Sequence, residues 1–275
     1  MTLGNEFSLA IDSYLKNKNN SNLNDIKKKF KNIKNNFLNK NKKYLIVRNF
    51  SKNRNELIKK INTFSKFTRL LKQNSNGDKI IEVKPHIKLL KKFKKKTKEN
   101  LRYHQTNLGG SIHSDGPQLY TPPKYIIMAC SQQARTGGDS IISDAKKIYH
   151  NLRLRERKII QILNQKFFFE RRGFKYKKKV FNKKIFDTQN QFIFRYLRDY
   201  IESGHKIVKK ELTVKQKNAL SILDKYLENK NYQITYRLNK NDLVILNNFC
   251  LAHGRKQFQI NNRDPRTLYR LWIKN

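Results

Sequence analysis

The sequence predicts a mixed α/β fold with a β core, a double-stranded β-helix (jelly roll) flanked by helices. Three observations lead there. From about Gly109 onward, short segments rich in β-branched and aromatic residues recur between Gly and Pro turn signals, at residues 125–131, 139–143, 232–238, 243–247 and 266–273. Apolar positions at helical spacing lie around these strands, as with Leu220, Leu223 and Leu227. No internal repeat or low-complexity linker divides the chain, so the strands must pack on one another in paired sheets.

Residues 1–43 are polar and rich in Lys and Asn. Their apolar positions (Phe7, Leu9, Ile11, Leu15, then Ile26, Phe30, Ile33, Phe37) predict a pair of short helices covering the core within the same domain. Residues 44–275 would form the jelly-roll domain itself. Residues 44–50 read as a strand and 55–71 as an amphipathic helix, and a surface helix is expected at 87–96. Residues 111–115 are β-like and lead into Gly116-Pro117. Asp144 is placed to cap a helix running through Leu152, and a second helix is expected over 155–168. Residues 169–210 are basic and aromatic without a period, which suggests an insertion between core strands acting as a lid. Residues 213–227 read as a further helix.

Lys and Arg number 62 against 20 Asp and Glu, a formal charge of +42 that invites a nucleic-acid reading. Lys is nevertheless spread along the whole chain beside abundant Asn, without Arg-rich recognition segments, so compositional bias explains the charge more simply. A basic nucleic-acid-binding protein, or an enzyme acting on nucleotides or nucleic acid, is the alternative that the charge keeps open. The 17 Phe and 13 Tyr argue for a folded chain. Cys130 and Cys250 sit in apolar stretches and are expected to be reduced and buried. The first fifteen residues lack a sustained apolar run, and no stretch approaches the ~20 apolar residues of a membrane span. A cytoplasmic protein without a membrane partner is expected.

His113-Ser114-Asp115 is a His-x-Asp; on a strand, alternate side chains leave the same face and can converge on one ion. His253 stands in Ala252-His253-Gly254-Arg255, after a strand-like run. Two His and one carboxylate match the facial triad of non-haem Fe(II) oxygenases, which leaves ligand positions open. Zinc is the chemical rival, but the helical His-Glu-x-x-His is missing. In the last strand, Arg266, Leu268, Arg270 and Trp272 share a face by the period of two, and a guanidinium can grip the far carboxylate of a keto diacid through two N–H bonds. His86, His104, His150 and His205 have no motif around them and are read as structural or exposed.

Taken together, His113-Ser-Asp115, Thr121-Pro-Pro-Lys-Tyr125, Thr136-Gly-Gly-Asp-Ser140, Phe194-Arg195-Tyr196, His253-Gly-Arg255 and Arg266-x-x-x-Arg270 resemble, in family order, the TauD/TfdA (taurine dioxygenase-like) oxygenases in the clavaminate synthase-like branch. The likeness runs from about Tyr44 to the C-terminus. It implies an Fe(II)/2-oxoglutarate-dependent dioxygenase that hydroxylates or desaturates a small, anionic or amino-acid-like substrate with release of succinate and CO2. It implies His113, Asp115 and His253 as iron ligands, with Arg266 and Ser140 on the co-substrate's distal carboxylate. Arg270 would brace the co-substrate or meet an anionic group of the substrate, and Arg195 would lie near the substrate pocket. Because Asp115 is present, chloride has no vacant ligand position and halogenation is disfavoured.

Overall fold

The structure is a computed structural model that describes residues 2–86, 105–110 and 112–274. The helix expected at 87–96, and His104, lie outside these residues. Two helices open the chain, α1 (Leu3–Lys16) and α2 (Asn20–Ile33), their first turns closed by Thr2 and Asn19, whose side chains accept from Asn5 N and Asn22 N. β1 (Tyr44–Val47) and α3 (Arg54–Phe67) follow, then β2 (Ile80–Val83), β3 (Tyr125–Gln132) and β4 (Ser140–Ser143). Asp144 caps α4 (Ala145–Arg155) by accepting from Lys147 N at 2.9 Å.

Beyond α4 the structure departs from expectation. The helix expected over 155–168 is only the seven-residue α5 (Arg157–Leu163); its continuation is a strand, β5 (Lys166–Glu170). Phe167 and Phe169 are fully buried on one face of β5, so alternation decided the outcome. Residues without visible period in the sequence hold β6 (Val180–Lys184), which pairs with β5, the short pair β7 (Phe186–Asp187) and β8 (Ile193–Phe194), and α6 (Arg198–Ile207). α7 (Val214–Glu228) begins on a capping box of Thr213 and Gln216. The chain closes with β9 (Gln233–Tyr236), β10 (Leu243–Asn247), β11 (Ala252–Arg255) and β12 (Thr267–Ile273).

Two antiparallel sheets carry the site. The larger has the order β1-β10-β3-β12-β2 and the smaller β11-β4-β9. Both faces of the larger sheet are buried, which explains its near-continuous apolar strands. Tyr125, Ile127, Ala129, Leu243, Ile245, Leu271 and Ile273 point outward to α1, α2 and α3, where Phe7, Phe30 and Phe64 pack edge to face. Their alternates Ile126, Cys130, Val244, Leu246, Leu268 and Trp272 point inward and meet Ile142 of the smaller sheet. A third cluster gathers α4, α5, α7 and β5 around Phe167, Phe169, Phe186 and Phe194. The inward face thus lies between the sheets, and it is there that the histidines meet. Cys130 is buried and Cys250 partly so, and both are free thiols, with burial pushing the Cys130 thiol up to about 12. Among the described residues no helix is long and apolar enough to cross a membrane.

Candidate active site

Of residues 111–115, expected to be β-like, the described residues 112–115 supply a single bridge, at His113. His113 and His253 are antiparallel partners, exchanging N–H···O bonds of 3.0 and 2.7 Å. Directly opposed residues project to the same face, and the two imidazoles stand 4.7 Å apart, centroid to centroid. Asp115 lies two positions beyond His113. Its Oδ1 is 4.0 Å from His113 Nε2 and its Oδ2 is 3.9 Å from His253 Nε2. One ligand atom from each residue falls within 4.8 Å of the others, so a single cation can touch all three.

Asp115 is held from every side. Oδ1 accepts from Arg270 Nη1 at 3.0 Å and Oδ2 from Trp272 Nε1 at 2.9 Å. Its backbone N–H donates to Asn248 Oδ1 at 2.8 Å, and Asn248 Nδ2 returns bonds to Asp115 O at 3.0 Å and Pro123 O at 2.8 Å. Burial alone would raise the carboxyl's pKa. The charge of Arg270, the two imidazoles and the indole hydrogen bond together reverse this and bring it down to about 2. Burial likewise pushes His253 down to about 3, against the pull of Asp115. An ionised carboxylate beside a neutral imidazole is the protonation state that metal ligation requires.

The triad opens into a cavity of about 400 Å³ between the sheets. Arg266, Leu268, Arg270 and Trp272 all line it, as the period of two in the last strand requires. Arg266 is buried and donates through Nε to Gln133 Oε1 at 2.8 Å and through Nη2 to Gly138 O at 3.3 Å. Gly138 has φ +80°, and a Cβ there would sit 3.1 Å from Arg266 Nε, so the Gly-Gly turn gives the guanidinium its passage. Ser140 lines the same end of the cavity with Tyr236, its partner across β4 and β9. Arg270 is held by Gln73, whose Oε1 accepts from its Nε at 2.8 Å and whose Nε2 donates to its carbonyl at 2.8 Å.

Arg195 is not itself among the residues that line the cavity; buried, it donates to Leu119 O at 2.9 Å and bears on the loop that follows Asp115. Of the remaining histidines, His86 and His150 are exposed, whereas His205 is buried against Phe168. Gln73, Gln133 and Asn248 were not singled out from the sequence. Each is a buried amide with at least one partner more than a hundred positions away.

A family model described as taurine catabolism dioxygenase TauD, TfdA family matches residues 21–272. FR-33289 synthase of Streptomyces rubellomurinus is 25% identical over 209 residues, 73% of this chain and 58% of that protein. Human gamma-butyrobetaine dioxygenase is 26% identical over 166 residues, 58% of this chain and 42% of its own. The chain therefore spans about half the length of the curated relatives it matches. Among solved structures, asparagine oxygenase in complex with Fe(II), 3-hydroxyasparagine and succinate aligns with a TM-score of 0.61 at 14% identity, covering 78% of this chain and 64% of that one. PvcB, an Fe, alpha-ketoglutarate dependent oxygenase, aligns with a TM-score of 0.56 at 18% identity, covering 90% and 79%. At such identities the structures speak for the fold. With the family match covering nearly all of the described residues, the chain belongs to the taurine catabolism dioxygenase TauD, TfdA family.

Proposed function

We propose that this protein is an Fe(II)/2-oxoglutarate-dependent dioxygenase that hydroxylates or desaturates a C–H bond of a small amino-acid-like substrate. The observation that carries this reading is the convergence of His113, Asp115 and His253 in the lining of one cavity. Two imidazoles and a buried carboxylate suit ferrous iron, and neither cysteine is near enough to join the set. Iron held there with a chelated keto acid supplies the oxidising chemistry: dioxygen is consumed, 2-oxoglutarate leaves as succinate and CO2, and the substrate is oxidised. The two sheets would form the facing halves of a double-stranded β-helix, with residues 1–43 as a helical cover of the same domain and 169–210 as the lid.

The chain's own residues perform the remaining tasks. Asp115 keeps its charge because Arg270 and Trp272 hold it, and each of its oxygens retains room on the side facing the imidazoles. Arg266, bonded to the neutral Gln133, keeps a positive charge directed at the co-substrate's distal carboxylate, with Ser140 beside it. Arg270 is committed to Asp115 and Gln73, so it braces the iron site in preference to gripping the substrate.

Anaerobic addition of Fe(II) and 2-oxoglutarate tests the scheme. A weak visible charge-transfer band from the chelated keto acid is expected, and a colourless mixture would count decisively against it.

A further inference from the structure

The Phe194-Arg195-Tyr196 motif forms no hydrogen bond to the ligand side chains of the metal site, yet it is bonded to both segments that carry them. Phe194 N donates to Phe249 O at 2.9 Å, in the turn that leads to His253. Arg195 N donates to Ile185 O at 2.8 Å, and its guanidinium reaches Leu119 O beyond Asp115. Tyr196 then meets Ser114, the residue between the two ligands of the His-x-Asp run, in a reciprocal pair. Ser114 N donates to Tyr196 O and Tyr196 N donates to Ser114 Oγ, each at 2.9 Å. Ser114 is 1% exposed and Tyr196 is fully buried, so water does not compete for these bonds.

Every main-chain N–H of the run 113–115 therefore has its own holder. His113 N donates to His253 O, Ser114 N to Tyr196 O and Asp115 N to Asn248 Oδ1. Of these three bonds, the outer two stay within the ligand-bearing segments, and the middle one ties the run to the rest of the domain. Its far end is anchored. The Tyr196 hydroxyl donates to Asp224 Oδ1, and Arg198 Nη1 donates to the other oxygen of the same carboxylate at 2.9 Å. Asp224 stands on α7, whose Leu220, Leu223 and Leu227 are buried in the cluster that also contains Tyr196. A continuous chain of bonds thus runs from α7 through Asp224 and Tyr196 to Ser114.

We propose that Tyr196 and Ser114 are positioning residues of the metal site, and that the Asp224–Tyr196–Ser114 chain fixes the spacing at which His113 and Asp115 present their ligand atoms. His113 Nε2 and Asp115 Oδ1 lie 4.0 Å apart, and in an extended run that separation depends on the dihedral angles of the residue between them. Ser114 holds those angles by engaging one partner with both its N–H and its own hydroxyl. Alanine at 114 would leave the Tyr196 N–H buried without an acceptor, whereas threonine keeps the oxygen. The inference rests on the metal-site reading and extends it to residues outside the ligand set.

The test is metal binding by the full chain, read without turnover. Mn(II) is titrated into the protein, with the free ion followed by electron paramagnetic resonance and the spectrum of the bound ion reporting ligand geometry. Ser114→Ala should weaken Mn(II) by about 10-fold or more and broaden the bound-ion spectrum. Ser114→Thr should restore both. Tyr196→Phe keeps the ring and removes only the hydroxyl, and it should weaken Mn(II) by a smaller factor. Phe7→Leu, in the helical cover, is a destabilised control that should lower the melting temperature and leave the Mn(II) affinity unchanged. The proposal is overturned if Ser114→Ala or Tyr196→Phe binds Mn(II) as the wild type does, or if Ser114→Thr fails to restore binding. It is equally overturned if affinity simply follows melting temperature across all variants, Phe7→Leu included. Should Ser114→Ala fail to fold, Tyr196→Phe decides alone. A wild-type protein that binds no Mn(II) overturns the metal site itself, and the proposal with it.

Discussion

The indole of Trp272 donates to Asp115 Oδ2 at 2.9 Å, so the sole tryptophan of the chain orients the one carboxylate of the proposed iron site. Partners of this kind typically affect metal affinity by about 10-fold to 100-fold. Trp272→Phe keeps the inward apolar packing and removes only the donor. It should weaken Fe(II) or Mn(II) binding by about 10-fold, as measured by titration, with a cooperative unfolding transition retained. An unchanged affinity would reduce the indole to a packing role.

Loss of a ligand should be more severe. His253→Ala and Asp115→Ala are each expected to abolish stoichiometric iron binding by metal analysis, with the secondary structure intact by circular dichroism. Asp115→Ala carries an added cost, because it leaves the half-buried Arg270 without its anion. Retained turnover in either variant would remove that residue from the ligand set.

Gln133 offers a finer test of the co-substrate end. Its Oε1 accepts from Arg266 Nε and from Ala134 N, and its Nε2 donates to Leu238 O at 2.7 Å, so the amide has one consistent orientation. Gln133→Glu would place a competing carboxylate on Arg266. The KM for 2-oxoglutarate should rise by about 10-fold or more, with metal affinity little changed. Arg266→Ala should act in the same direction and further; equal effects on iron and keto acid would mark Arg266 as structural.

Gly138→Ala should disturb the same end through the backbone. At φ +80° the substitution costs about 1 kcal/mol or more, and the new methyl would press on Arg266 and Gln133. A lowered melting temperature together with a raised KM for 2-oxoglutarate is expected. A stability loss without any KM change would uncouple the turn from the arginine.

Acid stability should report on His205. Burial holds its pKa below the ordinary 6.5, against the hydrogen bond to Lys210 O. Phe168 N–H donates to Nε2, so the ring proton sits on Nδ1 and points to Lys210 O at 2.7 Å. Above pH 6.5 both folded and unfolded chains hold a neutral ring, and the stabilisation is complete. As the pH falls below 6.5 the unfolded chain takes up the proton first, and stability is lost until the lower folded value is passed. The melting temperature should therefore fall on acidification below 6.5, and less steeply in His205→Asn. Parallel slopes would assign the acid sensitivity elsewhere.

Much of this architecture could be read from local pattern. The short apolar runs at 125–131 and 243–247 foretold strands, and the period of two in 266–273 foretold which side chains of the last strand share a face. Asp144 announced its helix because capping is a short-range bond, and Leu220, Leu223 and Leu227 announced α7 by their spacing. Phe167 was misread because an apolar run after a helix looks like more helix, until a partner residue sixteen positions later, Lys183, makes alternate positions buried. Arg195 lay in a recognisable motif, but its target is a pair of loop carbonyls about 75 residues upstream, which no local pattern encodes. The buried amides Gln73, Gln133 and Asn248 were illegible for the same reason.

The reciprocal main-chain bonds between His113 and His253 have a consequence for how the molecule is assembled. About half the chain lies between these two positions, and the bridge closes it into a loop. A cation seated across the bridge would cross-link that loop as a staple does, favouring the native state in proportion to its occupancy. Chelators should then lower the melting temperature of the whole domain, making loss of metal a cue for turnover of the polypeptide as well as for silence of the enzyme.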